Sequence, residues 1–335
     1  MSNISKSPSG KLPRAVGLLG GGIIGGGWAG RFVLSGVNVL LYDPARGAAE
    51  AVRKVIDDAR RAYWRLGIPL PAEGTLKVVD TIAEAVCDVE FVQESAPERL
   101  ELKQQLLAAA SRVAAPEILI CSSTSGFMPS SLQEGVDHSE RVLVGHPFNP
   151  VYLLPLVELC GGRSTDPNAL DRAAEIYRSV GMRPLVVRKE VDGFIANRLQ
   201  EAIWREGLWL AHDDVATLEE IDDAIRYSFG LRLAVKGPFN IGGSGAAMRQ
   251  MLEKWGPDLT SKWTNYSNVP EHNDAFIDKL AEQSDARSEK LTSAQLQQKR
   301  DECLVAVLQG LRAEGYGAGE TFLRWEQALR LQPDK

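Results

Sequence analysis

A histidine and a glutamate twelve residues apart carry the first chemical signal in the sequence. His146 stands in Gly145-His-Pro-Phe-Asn-Pro150 at the end of an apolar run, and an imidazole, with an ordinary pKa of about 6.5, exchanges protons readily near neutrality. Glu158 lies in Leu156-Val-Glu-Leu159, where a charge inside an apolar strand is costly unless it is paired. If Glu158 accepts from one imidazole nitrogen, it sets the tautomer of His146 and stabilises the imidazolium, which is the logic of an oriented general base. A packed histidine and a solvent-facing carboxylate are the plain alternatives. The second signal is Gly20-Gly-Gly22-Ile23-Ile24-Gly25, a G-x-G-x-x-G run with a strand before it and a helix after it. Gly20 permits the tight turn, Gly22 lets backbone approach a pyrophosphate, Gly25 lets helix and sheet pack closely, and the helix N-terminus faces the phosphate charge. Asp43, eighteen residues on at the end of the next strand, is placed to accept from ribose hydroxyls and to repel a 2′-phosphate, which favours NAD over NADP. Arg46 close by, and a simple turn role for Asp43 before Pro44, keep the other readings open.

These residues need a scaffold, and the pattern of the chain supplies one. From Arg14 to about Arg188, short runs rich in Val, Ile and Leu alternate with segments of helical period, the signature of βαβ units and a mainly parallel sheet. The predicted strands are Ala15–Leu19, Asn38–Tyr42, Glu90–Gln93, Ile118–Cys121, Val142–Gly145, Leu154–Leu159 and Pro184–Val187, with helices over Ala48–Leu66 and Leu100–Val113. After Asp192 strand signals cease. A mostly buried helix is expected over Phe194–His212, a capping box at Thr217-Leu-Glu-Glu220 starts another that stops near Gly230, and helix returns over Ala294–Arg312. The fold class is therefore α/β, a Rossmann-type doubly wound sheet followed by an all-helical C-terminal domain. The expected division is a mobile lead-in over 1–13, a nucleotide-binding domain over 14–190 and a helical substrate and dimerisation domain over 191–335.

Composition narrows the partners. With 335 residues, 44% apolar and 24% charged, the chain has the balance of a globular protein with a sizeable core. A formal charge of −6 argues against nucleic acid, which demands a basic face. No apolar run approaches the roughly 20 residues of a membrane span, and the polar, Ser-rich start has no signal-peptide core, so a cytoplasmic location is expected. Cys87, Cys121, Cys160 and Cys303 lie far apart and read as buried free thiols; with no ligand-spaced pair, no metal is expected. A small molecule is the favoured partner.

At this point the chain resembles the 3-hydroxyacyl-CoA dehydrogenase family. The resemblance rests on four motifs in order and spacing: Gly20–Gly25, Ser122-Ser-Thr-Ser125, His146-Pro-Phe-Asn149 followed by Glu158, and Asp192-Gly-Phe-Ile-Ala-Asn197-Arg. It implies NAD as cofactor, His146 as base with Glu158 as its orienter, and hydrogen bonds from Ser125 and Asn197 to the substrate oxygen at C3, with Asn149 supporting the same pocket. It also implies that Glu98 and Lys103 lie near the cofactor, although both read equally well as ordinary helix surface. Ser123 departs from the Asn that acyl-CoA members usually carry there, and bears on contacts beside the nicotinamide or substrate. Past Asn197 the chain is more similar to the carnitine 3-dehydrogenase branch, through Asn197–Trp209, Val215–Arg226 and Val269-Pro-Glu. Leu233 departs from the aromatic residue that this branch carries after Gly-Leu-Arg, and Lys236-Gly-Pro-Phe239 is closer to acyl-CoA and L-gulonate relatives. The expected substrate is a small hydroxy acid, L-carnitine first. Its trimethylammonium would be held by ring faces drawn from Phe148, Tyr152, Phe229, Phe239, Trp255, Trp263 and Tyr266, and its carboxylate by Arg232 or Lys236. A homodimer through the helical domain is expected from relatives, and a non-catalytic, crystallin-like NAD-binding protein is the alternative of a different class.

Overall fold

Strands form over short runs rich in valine, isoleucine and leucine, and eight of them align into one sheet, the central ones buried and the two at the edges partly open to solvent. The structure, a computed structural model, describes residues 12–238, 273–279 and 292–331. The strands are β1 (Ala15–Leu19), β2 (Asn38–Tyr42), β3 (Leu76–Val79), β4 (Phe91–Glu94), β5 (Leu119–Ser122), β6 (Val142–Pro147), β7 (Leu156–Gly161) and β8 (Arg183–Val187). They lie in the order β3-β2-β1-β4-β5-β6-β7-β8. Every neighbouring pair is parallel except β6 with β7. That one antiparallel pair sets Glu158 directly opposite His146, and residues so paired project side chains on the same face of the sheet.

Helices cover both faces, as a doubly wound sheet requires. They are α1 (Ile23–Leu34), α2 (Ala48–Leu66), α3 (Ile82–Val86), α4 (Leu100–Val113), α5 (Pro129–Leu132) and α6 (Pro167–Ser179). One core joins Trp28 and Phe32 of α1, Val52, Ile56 and Tyr63 of α2, and Ala173 and Tyr177 of α6. The other joins Val86 of α3, Leu107 of α4 and Leu132 of α5. The first core also takes in Val305, Leu308, Phe322, Trp325 and Leu329. Packing accordingly divides the chain into one unit of Met1–Ile195 with Asp301–Lys335 and a second of Ala196–Arg300. Where one helical domain over 191–335 is expected from sequence, its last helices instead serve the first unit. The physical reason is burial of their aromatic faces, with Tyr63 and Trp325 in edge contact at 5.1 Å between ring centres.

Within the second unit, α7 (Ala196–His212), α8 (Leu218–Arg226) and α9 (Phe229–Lys236) follow in sequence. The predicted start at Phe194 is two residues early because Gly193 and Phe194 adopt positive φ of 71° and 52°, which no helix accommodates. Thr217 and Glu220 form the expected capping box, but α8 stops at Arg226 and α9 runs through Gly230. Of the cysteines, Cys121 and Cys160 are buried while Cys87 and Cys303 are exposed, so the reading of four buried thiols holds for two. Among the described residues no helix is long and apolar enough to cross a membrane. The lead-in over Met1–Lys11, and Phe239, Trp255, Trp263, Tyr266 and Val269 with its neighbours, lie outside the described residues.

Candidate active site

The glycine turn between β1 and α1 is shaped by what a side chain would strike. Gly20 has φ +104°, and a Cβ there would lie 2.6 Å from the Ser95 carbonyl oxygen. A Cβ on Gly25 would fall 1.9 Å from the carbonyl oxygen of Gly20, whereas one on Gly22 meets nothing within 4 Å. The turn is thus tight on the protein side and open where a pyrophosphate would approach the N-terminal N–H groups of α1 at Ile23, Ile24 and Gly25. Asp43, just past β2, accepts from the Gly21 N–H at 2.6 Å through one oxygen and from the Ala45 N–H at 2.8 Å through the other. It therefore braces the glycine turn, and its carboxylate retains lone pairs for ribose hydroxyls. These features fit a dinucleotide: a cradle with an open side, a helix N-terminus and a carboxylate at the end of the next strand.

Along the same strand-end edge, β6 delivers His146. Gly145 before it is obligatory, since a Cβ there would lie 2.0 Å from the Tyr177 hydroxyl. His146 is 5% exposed and Glu158 wholly buried, and imidazole Nδ1 lies 2.9 Å from Glu158 Oε2. The other carboxylate oxygen accepts from the Ile195 N–H at 2.9 Å. An ionised carboxylate only accepts, so Nδ1 carries the proton and Nε2 carries the lone pair. The ring is held between Phe148 at 4.7 Å and Phe194 at 5.6 Å, centre to centre. The positive-φ turn at Gly193-Phe194 does two things here: it packs the buried Phe194 ring on the imidazole and turns the Ile195 N–H to Glu158.

The loop after β5 is built on two further carboxylates. Glu94, fully buried at the end of β4, accepts from the Ser122 hydroxyl and from Lys103 Nζ at 2.9 Å. Lys103 is 1% exposed and also reaches the Ala96 carbonyl at 3.0 Å and Glu98 at 3.3 Å. With its three donors on these three partners, Lys103 is a buried brace of this loop and is not helix surface. Glu98 accepts from the Thr124 hydroxyl, from the Ser125 N–H at 2.9 Å and from the Gly126 N–H at 3.0 Å. Burial alone would raise its carboxyl, but the Thr124 hydrogen bond, the Lys103 charge and the two N–H donors together hold it below the usual carboxylate range. Ser125 is exposed, with its hydroxyl 3.4 Å from Glu98. Ser123 is half-buried beside it.

The remaining expected residues are distributed unevenly. Asn149 is exposed and Phe148 half-buried next to His146. Tyr152 is 5% exposed, and its hydroxyl donates to Asp301. Its ring belongs to the core and is withdrawn from the set expected to meet substrate. Asn197 is half-buried in the first turn of α7, Arg232 is exposed on α9, and Lys236 is the last residue of α9. Sequence reasoning missed Gln93, Glu94 and Ser95, whose signal was available as three polar residues in a row at the end of an apolar strand. It also missed the backbone N–H of Ile195, for which no sequence signal exists.

Comparison with known proteins accords with this geometry. Residues 15–191 match the 3-hydroxyacyl-CoA dehydrogenase NAD binding domain, and residues 193–272 match the C-terminal domain of the same family. An L-carnitine dehydrogenase of Mesorhizobium japonicum is 47% identical over 90% of this chain and 85% of its own length. An L-carnitine dehydrogenase/betainyl-CoA thioesterase of Agrobacterium fabrum is 48% identical over 91% of this chain, which spans 63% of that longer protein. Among solved structures, a 5-formyl-3-hydroxy-2-methylpyridine 4-carboxylic acid 5-dehydrogenase, an NAD+-dependent dismutase, superposes with a TM-score of 0.76 at 27% identity, covering 92% of this chain and all of its own. With the family matched across both its domains, the chain is an NAD-dependent dehydrogenase that belongs to the 3-hydroxyacyl-CoA dehydrogenase family.

Proposed function

We propose that the protein oxidises the 3-hydroxyl of L-carnitine, with His146 as the base and Glu158 as its orienter. The observation that carries the chemistry is the buried His146–Glu158 pair, set opposite each other across β6 and β7 on the sheet edge that also holds the glycine turn. NAD, held at the glycine turn and by Asp43, would supply the acceptor for the hydride that leaves C3. His146 Nε2 takes the hydroxyl proton, and Glu158 stabilises the imidazolium that results. Ser125 and Asn197 donate to the C3 oxygen as its negative charge grows. Glu98 and Lys103 hold the Ser122–Gly126 loop that presents Ser125.

The substrate assignment is supported by relatives named L-carnitine dehydrogenase at 47% identity over 90% of the chain. A trimethylammonium has no N–H to donate and is held by ring faces, at about 0.5 to 2 kcal/mol each. Phe148, beside His146, is the described ring best placed to supply one, and Arg232 or Lys236 would take the carboxylate. A homodimer through the helical unit and a cytoplasmic location belong to the same reading. Exposed Leu199, Ile203 and Trp204 on α7 support a subunit face, and sedimentation at several concentrations tests it. The reaction is tested by NADH formation from L-carnitine in the wild type and in His146→Gln. The variant should bind NADH normally and lose most of kcat; full activity in it would remove His146 from the chemistry.

A further inference from the structure

Ser123 Oγ lies 3.1 Å from the indole nitrogen of Trp28, 2.8 Å from the amide nitrogen of Gln93 and 2.8 Å from Ser95 Oγ. The directions of these bonds follow from the groups themselves. An indole N–H only donates. The Gln93 amide is fixed because its oxygen accepts from the Tyr177 hydroxyl, while its nitrogen also faces the Gly145 carbonyl at 3.4 Å; turned over, it would set oxygen against oxygen. A serine hydroxyl has two lone pairs and one proton. Trp28 and Gln93 take both lone pairs of Ser123, so its proton goes to Ser95 Oγ. The proton of Ser95 is thereby directed away from Ser123, and among the described residues no second group receives it.

Ser95 is half-buried and packs on the glycine turn: its N–H donates to the Leu19 carbonyl at 2.7 Å, and its Cβ lies 3.5 Å from where a Cβ on Gly25 would be. Along the strand-end edge the order is Asp43 after β2, the glycine turn after β1, Ser95 after β4 and His146 in β6. Asp43 marks the adenosine ribose, the turn marks the pyrophosphate and His146 marks the reacting carbon. Ser95 stands between the last two. We infer that Ser95 donates a hydrogen bond to an oxygen of the nicotinamide-side ribose. Ser123, with Trp28 and Gln93 behind it, is a positioning residue that fixes the direction of that donor. The inference rests on the NAD site described above.

The test is direct binding of NADH, ADP-ribose and ADP by calorimetry. Ser95→Ala should weaken NADH and ADP-ribose by about three- to tenfold, the loss of one ordinary hydrogen bond, and leave ADP, which lacks that ribose, unchanged. Ser123→Ala should show a smaller loss with the same ligand pattern and, without ligand, shift the Trp28 indole N–H resonance; Ser123→Thr, which keeps the hydroxyl, should restore both. Unchanged NADH affinity in Ser95→Ala, or an equal loss for ADP, would overturn the assignment. Failure of the wild type to bind NADH would overturn the nucleotide site itself and this inference with it.

Discussion

Replacing Glu158 with Gln tests the proton geometry with almost no change of shape. In the native arrangement Oε1 accepts from the Ile195 N–H and Oε2 faces His146 Nδ1. The Gln amide has one acceptor and one donor end, and the Ile195 N–H claims the acceptor. The NH2 group then falls on Nδ1, which must offer a lone pair, so the imidazole proton moves to Nε2 and the base is lost. Turning the amide over would restore the tautomer but set an N–H against the Ile195 N–H, at about 1 to 3 kcal/mol for the buried donor left unmade. At about 1.36 kcal/mol per tenfold, that route alone costs roughly five- to 150-fold in rate. Loss of the carboxylate's stabilisation of the imidazolium adds to this, and the expected fall in kcat is about 10²- to 10⁴-fold, the usual range for a general base. His146→Gln should lose more. The assay is steady-state NADH formation with NADH affinity and Tm as controls. A Glu158→Gln enzyme within threefold of the wild type, with both controls unchanged, would refute the tautomer argument.

Three further outcomes are expected. Asp43→Ala removes a carboxylate that accepts from the Gly21 and Ala45 N–H groups; it should weaken NAD by about ten- to hundredfold, the range for hydrogen bonds to a charged group, and narrow the preference over NADP, as a comparison of kcat/KM for the two cofactors would show. Glu98, held below the usual carboxylate range, contributes stability that is present above the unfolded carboxyl pKa of about 4.3 and is lost as pH falls through the lower folded value. Tm of the wild type should therefore exceed that of Glu98→Gln at neutral pH and converge with it in acid; a constant gap would contradict the bracing role. Burial pushes the Cys121 thiol up to about 12 and that of Cys160 up to about 11, so iodoacetamide should label Cys87 and Cys303 in the native protein, and the other two only after unfolding.

The legible parts of the fold are those where pattern and packing agree. β1, β2, α2 and α4 follow the apolar spacing to the residue. β3 was not legible because Leu76-Lys-Val-Val79 is a short edge strand carrying a lysine, half open to solvent. His146 and Glu158 were readable as a pair by type and spacing, but their adjacency comes from the antiparallel β6–β7 register within an otherwise parallel sheet. Tyr152 misled because an aromatic close to the His146 motif looks available, while burial and Asp301 had already claimed it. The hub at Ser123 gathers residues 28, 93, 95 and 123, and no local pattern connects them. The C-terminal helices likewise join the first unit through tertiary burial of Phe322 and Trp325.

The most direct test of the account is kcat/KM for L-carnitine against 3-hydroxybutyryl-CoA and L-gulonate, with NAD at saturation and NADH followed by absorbance. L-carnitine should lead by at least tenfold, about 1.4 kcal/mol of transition-state preference. A lead of that size for either rival would contradict the proposed substrate, and no turnover of any of the three by a chain that binds NADH would contradict the proposed chemistry.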